Sequence, residues 1–480
     1  MSQNHAAKIF LWLNRWKDNE QSNIMIGQMI KKSLIVYFVV MTIRGIGILQ
    51  AQAITPDPRS KVDILLVVAH PDDETAIGGQ LAKWIFDDGK KIGVIYTNRG
   101  QGGGNSIGKE QYHSMGAIRE IEARRALSAF GIYNVWFLDG IDTPGQDVLH
   151  SLQNLPHGAA LEKLIRYVRL TRPEIIVTWL PHFVAGENHG DHQAAGVIAT
   201  EAFDMAGDPT IFPAQLAFPR EIMDINNYYE GLQPWQVKKI YYFSDRDEAL
   251  NAPGPRFDIS AKSPSQGKPY IELAAQLHKF HQTQADVAQI AEQAEQSGNW
   301  QPMIEWLEKF HLIYGKSVVK CEPTGDVFEG VSEKPADFHK NTGYISPVAR
   351  GVKLQFGGIF DYYRHFWQVH DLQHLATIVS PEIAISVGSY FHVPLLITNG
   401  DKKTIRLSVK PILPNGWQEV SGSGEYIIST GESLPVQCFY FAPDNETDRF
   451  QPLKWQIIQD GKVLDEVVMN VKLVEWALPQ

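Results

Sequence analysis

The residues best suited to chemistry stand together in Ala69-His70-Pro71-Asp72-Asp73-Glu74. Three carboxylates beside an imidazole repel one another unless a cation joins them, and His nitrogen with carboxylate oxygen suits zinc or a similar divalent ion. Read alone, the stretch also fits a polar turn whose Asp and Glu cap a helix. A second stretch, Glu187-Asn188-His189-Gly190-Asp191-His192, sets two His three residues apart among further carboxylates. One His and one Asp from the first stretch with one His from the second make a three-ligand site with room for water. That is the arrangement of a hydrolytic metal site, not a structural one. The competing reading of His189 and His192 is an exposed helix start.

Both stretches fall where a strand gives way to a helix. Val62–Val68 is an apolar, β-branched run long enough for one buried strand, and Thr75–Phe86 carries apolar residues at helical spacing up to the stop at Gly89. Glu174–Trp179 reads as another buried strand, followed by a helix from Asp191. Further strands are expected at Ile92–Thr97, Asn134–Leu138 and Trp235–Ser244, with helices at Ser114–Phe130 and Leu161–Leu170. Alternating strands and helices imply a doubly wound, Rossmann-like, mostly parallel sheet covered on both faces. In such sheets ligands bind at the carboxyl ends of the strands, where both stretches lie.

The Ala69–Glu74 motif, the His189–His192 pair and their spacing resemble the PIG-L/LmbE family of zinc-dependent N-deacetylases over roughly residues 62–244. The resemblance implies His70, Asp73 and His192 as ligands of Zn2+ or another divalent metal. It implies Asp72 as the general base, and His189 as the group that stabilises the oxyanion or protonates the leaving amine. It places Arg119, paired with Glu122 in an Arg-x-x-Glu pattern, near the substrate. Asp139, at the expected carboxyl end of the Asn134–Leu138 strand, is a candidate substrate contact from its position, with a plain turn residue as the alternative.

Asn98–Asn105 is glycine-rich, but Asn105 stands where a dinucleotide fingerprint needs its third glycine, so the loop reads as a cover over the metal edge. His278 and His281 lack carboxylate neighbours and read as a solvated helix face. Residues 319–371 show no strong period. Their aromatic cluster Phe356–Trp367 is expected to pack domains together, with sugar stacking as the lesser reading. From Ile383 short β-rich segments with Asn-Gly and Asp-Gly turns suggest an all-β immunoglobulin-like sandwich. Pro414-Asn415-Gly416-Trp417 resembles the small sandwich domain, of the alpha-galactosidase-associated type, fused to several bacterial carbohydrate enzymes.

At 480 residues the chain suits several domains. The expected segments are a leader over 1–53, a deacetylase-like domain over 54–318, a connecting region over 319–376 and the sandwich over 377–480. A net charge of −10 argues against nucleic acid as a partner. Lys31-Lys32, the apolar run Leu34–Ile43 and Ala51-Gln52-Ala53 are the parts of a signal peptide, which implies a secreted or periplasmic protein. Arg44 makes that run too short and too charged for a stable membrane span. The two cysteines, Cys321 and Cys438, are expected to be free thiols. The function expected is hydrolysis of an acetamide on an N-acetylated amino sugar, with glycan a candidate partner of the sandwich. The rivals are a metal amidase on another small amide conjugate and a secreted glycan-binding protein with a vestigial metal site.

Overall fold

The computed structural model describes residues 55–183, 189–216, 230–246, 250–332, 334–341 and 350–477. The leader lies outside the described residues. Among those described, no helix is long and apolar enough to cross a membrane.

In chain order the first part comprises β1 (Ile64–Val68), α1 (Gly78–Ala82), β2 (Ile92–Tyr96), α2 (His113–Ala129), β3 (Asn134–Phe137), α3 (Val148–Asn154), α4 (His157–Thr171), β4 (Ile175–Trp179), α5 (Gly190–Met205), β5 (Lys239–Phe243), α6 (Tyr270–His278), α7 (Ala285–Ser297), α8 (Gln301–Leu307) and β6 (Ile313–Ser317). The sheet order is β3-β2-β1-β4-β5-β6, parallel except for β6, which runs antiparallel along β5. The order reverses between β1 and β4, and the crevice of an open α/β sheet lies at that point. The first chemical motif directly follows β1, and the second opens the helix that comes after β4.

The strands are apolar on both sides because both faces are covered. Leu65, Val67, Ile95 and Ile176 point into one core with α3, α4 and α5. Their alternate neighbours Ile64, Leu66, Val68, Val94 and Val177 point into the other, with α1, α2 and α6. The two-residue alternation of a strand thus feeds two cores at once.

The second part comprises β7 (Val352–Phe356), α9 (Ile359–Val369), β8 (Glu382–Ser386), β9 (Tyr390–Asn399), β10 (Ile405–Ile412), β11 (Gln418–Ser421), β12 (Gly424–Ile428), β13 (Ser433–Phe441), β14 (Gln451–Gln459) and β15 (Lys462–Val474). The strands form a five-stranded sheet, β12-β10-β14-β15-β8, and a four-stranded sheet, β11-β13-β9-β7. Neighbours are antiparallel except β15 with β8. Inward residues of both sheets share one core around Trp455, whose indole donates to Tyr440 at 2.6 Å. The aperiodic region therefore contains one strand of the sandwich and one amphipathic helix. The aromatic cluster packs inward: Trp367 donates its indole N–H to the Pro181 carbonyl at 3.0 Å, and the Tyr363 hydroxyl reaches Gln193 at 2.9 Å. Those contacts tie α9 to the loop after β4 and to the first turns of α5. Cys321 and Cys438 are free.

Candidate active site

Each strand end from β1 to β5 sends a polar group to one point. After β1 the chain turns tightly, and the Asp73 carboxylate folds back over it. Its Oδ2 accepts the backbone N–H groups of Ala69 and His70 at 2.8 and 2.9 Å and the Trp179 indole N–H at 2.6 Å. Three donors saturate Oδ2 and leave Oδ1 facing the crevice. There Oδ1 lies 3.7 Å from His70 Nδ1 and 3.4 Å from His192 Nε2, which are themselves 3.2 Å apart.

The donors themselves test the fit to a cation. Around an ion with bonds of roughly 2.0–2.1 Å, neighbouring tetrahedral ligands are about 3.3 Å apart. Two sides of the triangle of Nδ1, Oδ1 and Nε2, at 3.2 and 3.4 Å, match that edge, and the third, from His70 Nδ1 to Asp73 Oδ1, is longer at 3.7 Å.

The far sides of the rings are braced. His192 Nδ1 meets the Asp245 carboxylate, just past β5, at 2.7 Å, and its ring stacks on Trp179 with centroids 4.0 Å apart. His70 Nε2 faces Asp142 at 3.4 Å and Asp191 at 3.5 Å. Asp191 is held by Asn98, at the end of β2, and by the Thr143 backbone N–H. Carboxylates behind the rings fix which imidazole nitrogen carries a proton and which turns to the ion. His70, His189 and Asp191 make a second close group. Because Asp191 already accepts two hydrogen bonds there, it reads as a brace.

The charges respond to this crowding. Burial pushes Asp72 up, and the neighbouring Asp73 adds to it, reaching about 7. Burial opposes charge on His192, yet Asp73 and Asp245 outweigh it and push the ring up to about 10. Asp73 is held well below its usual value against burial by His192 and His70. Burial, reinforced by His70 and His192, pushes His189 down to about 3. His189 Nδ1 accepts the Asp191 backbone N–H at 3.2 Å, so the proton of the neutral ring sits on Nε2.

His70, Asp72, Asp73, His189 and His192 thus come together. Arg119 lies close enough to Asp72 and Asp142 to feel their charge, and its guanidinium donates to the carbonyls of Gly100 and Gly104 at 2.6 and 2.8 Å, which pins the glycine-rich loop. Gly100 sits at φ +64°, a backbone conformation that L side chains rarely adopt, directly against Arg119. Asp139 is more than half exposed and paired with Arg99 and Lys163. The residue of that loop which enters the site is Asp142, three positions on. His278 and His281 are fully buried, not a solvated face, and His281 Nε2 meets the Glu74 carboxylate at 2.7 Å. The sequence assigns no site role to Asp142 or Asp245, and it reads Trp179 only as the end of a strand. For Asp245 a signal existed: it is a carboxylate at the carboxyl end of a strand, as Asp73 is.

Residues 65–203 match the PIG-L family, GlcNAc-PI de-N-acetylase. That PIG-L segment holds every site residue named above except Asp245 and His281. The chain is 26% identical over 208 residues to a 1D-myo-inositol 2-acetamido-2-deoxy-alpha-D-glucopyranoside deacetylase of Catenulispora acidiphila, covering 40% of this chain and 59% of that protein. It is 27% identical over 317 residues to the protein of the same name from Streptomyces avermitilis, covering 58% of this chain and 98% of that one. The chain spans about three-fifths of the length of the first curated relatives it matches. Among solved structures, an inhibitor complex of N,N'-diacetylchitobiose deacetylase from Pyrococcus horikoshii aligns at a TM-score of 0.36 and 19% identity, over 52% of this chain and 77% of that one.

Proposed function

We propose that the chain hydrolyses the acetamide of an N-acetylated amino sugar, or of its conjugate, and releases acetate. The observation that carries this reading is the triangle of His70 Nδ1, Asp73 Oδ1 and His192 Nε2, with the His189 ring 5.0 and 5.1 Å from those of His70 and His192. These three residues would hold a divalent ion, zinc by our reading of the ligand set. Such an ion supplies Lewis-acid polarisation of the acyl oxygen and acidifies the attacking water. Asp72 accepts the proton of that water. Asp72 then passes that proton to the departing amine, so water and amide yield acetate and a free amino sugar. His189, neutral with Nε2–H, donates a hydrogen bond to the developing oxyanion. In this reading Asp142, Asp191 and Asp245 hold the imidazoles in their working tautomers.

The names of the curated relatives support an amino-sugar conjugate as the class of substrate. The basic, apolar and small-residue pattern before residue 54 supports export. An immunoglobulin-like sandwich that contacts glycan remains part of the reading on the sequence resemblance alone.

The test is Asp72→Ala assayed with N-acetylated sugars. The variant keeps its metal and loses acetate release by about 10²–10⁴-fold. Undiminished turnover removes Asp72 from the reaction.

A further inference from the structure

The Asp72 backbone sits at φ +124°, ψ −22°, a region that residues with a side chain rarely adopt. Such a conformation persists only where the surroundings over-determine it. Here both polar groups of one peptide unit, Pro71–Asp72, are gripped, one by a distant residue and the other by a neighbour that a distant residue holds. The Pro71 carbonyl accepts Gln284 Nε2 at 2.5 Å. The Asp72 N–H donates to Glu74 Oε2 at 3.1 Å, which also accepts the Tyr96 hydroxyl at 2.7 Å. Glu74 Oε1 in turn meets His281 Nε2, and both side chains are fully buried. Between these residues, Thr283 donates its N–H and hydroxyl to Glu122 at 2.9 and 2.6 Å and so fastens the turn to α2. The Asp72 carbonyl is held locally by the Thr75 N–H and hydroxyl.

We infer that His281, Thr283 and Gln284, on the turn between α6 and α7, are positioning residues that lock the Pro71–Asp72 peptide and thereby aim the Asp72 carboxylate. None of them touches the reacting atoms. The turn lies some two hundred residues beyond the motif it holds, as the separations of 207 and 213 positions show. Once the grip is released, the peptide flips, φ of Asp72 becomes negative, and the carboxylate leaves its place beside Asp73. This inference rests on the proposed deacetylase reading only for its kinetic arm.

The experiment compares full-length wild type with Gln284→Leu and His281→Gln, each with its metal quantified. His281→Gln leaves a buried carboxylate short of its partner and can fail to fold; Gln284→Leu removes one half-buried hydrogen bond and keeps the test decidable. Hydrogen–deuterium exchange is read on peptides spanning 68–77, with and without metal. The expected result is exchange about tenfold faster in those peptides alone, while those of β4 and the sandwich are unchanged. In acetate release, kcat falls about tenfold to a hundredfold with KM within about threefold and metal content unchanged. Exchange of 68–77 equal to wild type in a folded variant overturns the inference, as does a kcat loss that merely tracks lost metal. Should wild type release no acetate from any N-acetylated sugar, the deacetylase reading fails while the exchange arm still decides the clamp.

Discussion

Replacing Asp245 by Asn or Ala tests the bracing of the metal ligands. Its Oδ2 lies 2.7 Å from His192 Nδ1, and the two side chains are only 7% and 12% exposed. Charge-assisted hydrogen bonds between largely buried groups of this kind raise the donor strength of the opposite nitrogen, and their loss weakens metal binding about 10–100-fold. At about 1.36 kcal/mol per decade this is about 1.4–2.7 kcal/mol. Asparagine retains an acceptor for Nδ1–H and belongs at the lower end. Alanine leaves that N–H unpaired and belongs at the upper end. One term opposes the loss: without Asp245 the free ring holds its competing proton less tightly. The assay is a competitive zinc titration against a chelator of known affinity at fixed pH, with thermal unfolding of the metal-free variants as a control. Asp139→Ala, in the exposed cluster with Arg99 and Lys163, serves as the comparison and leaves affinity unchanged. If both Asp245 variants fold and bind zinc within about twofold of wild type, the brace is not one and the reasoning fails.

Trp179→Phe keeps a ring over His192 but removes the indole donor to Asp73 Oδ2; with one of three donors to a buried carboxylate gone, stability falls by about 1.5–3 kcal/mol, read by chemical denaturation. His157 gives a pH-dependent contribution: the Glu201 carboxylate at 2.5 Å holds its pKa above 6.5. A raised folded pKa means that stability is fully present below pH 6.5 and is lost as pH rises through the folded value. The melting difference between wild type and His157→Gln is therefore larger at pH 5.5 than at pH 9, and it stays below about 1 kcal/mol because the ring is partly exposed. An equal difference at both pH values refutes it.

The ligand-bearing motifs were legible because each lies beside the strand that positions it. The β1 and β4 runs are unbroken apolar segments; His70 and Asp73 follow β1 within five residues, and His192 stands in the first turn of the helix that comes after β4. What was hidden depends on strand order and on contacts far apart in the chain. Asp142 and Asp245 enter only because β3 and β5 lie in the same parallel sheet as β1 and β4. Asp139 stands at the expected strand end, yet the chain continues outward there and returns with Asp142. His278 and His281 read as solvated because no carboxylate stands near them in the sequence. α6 instead lies close on α1, where a Cβ at Gly78 would sit 3.2 Å from Ala274 Cβ, and the turn beyond it is buried against Glu74. The role of Arg119 was hidden for a similar reason: its partners are loop carbonyls, which no residue type announces. In the second part, β7 carries an alternating exposed and buried pattern too short to stand out, and pairing with β9 makes it a strand.

The central claim is tested most directly by acetate release from a purified, metal-quantified chain supplied with N-acetylglucosamine, its inositol conjugate and N,N'-diacetylchitobiose. The account predicts turnover on at least one of them in proportion to the bound divalent ion, abolished by a chelator and restored by zinc. Acetate release that persists with the ion stripped, or a fully loaded chain that cleaves none of these acetamides, would contradict it.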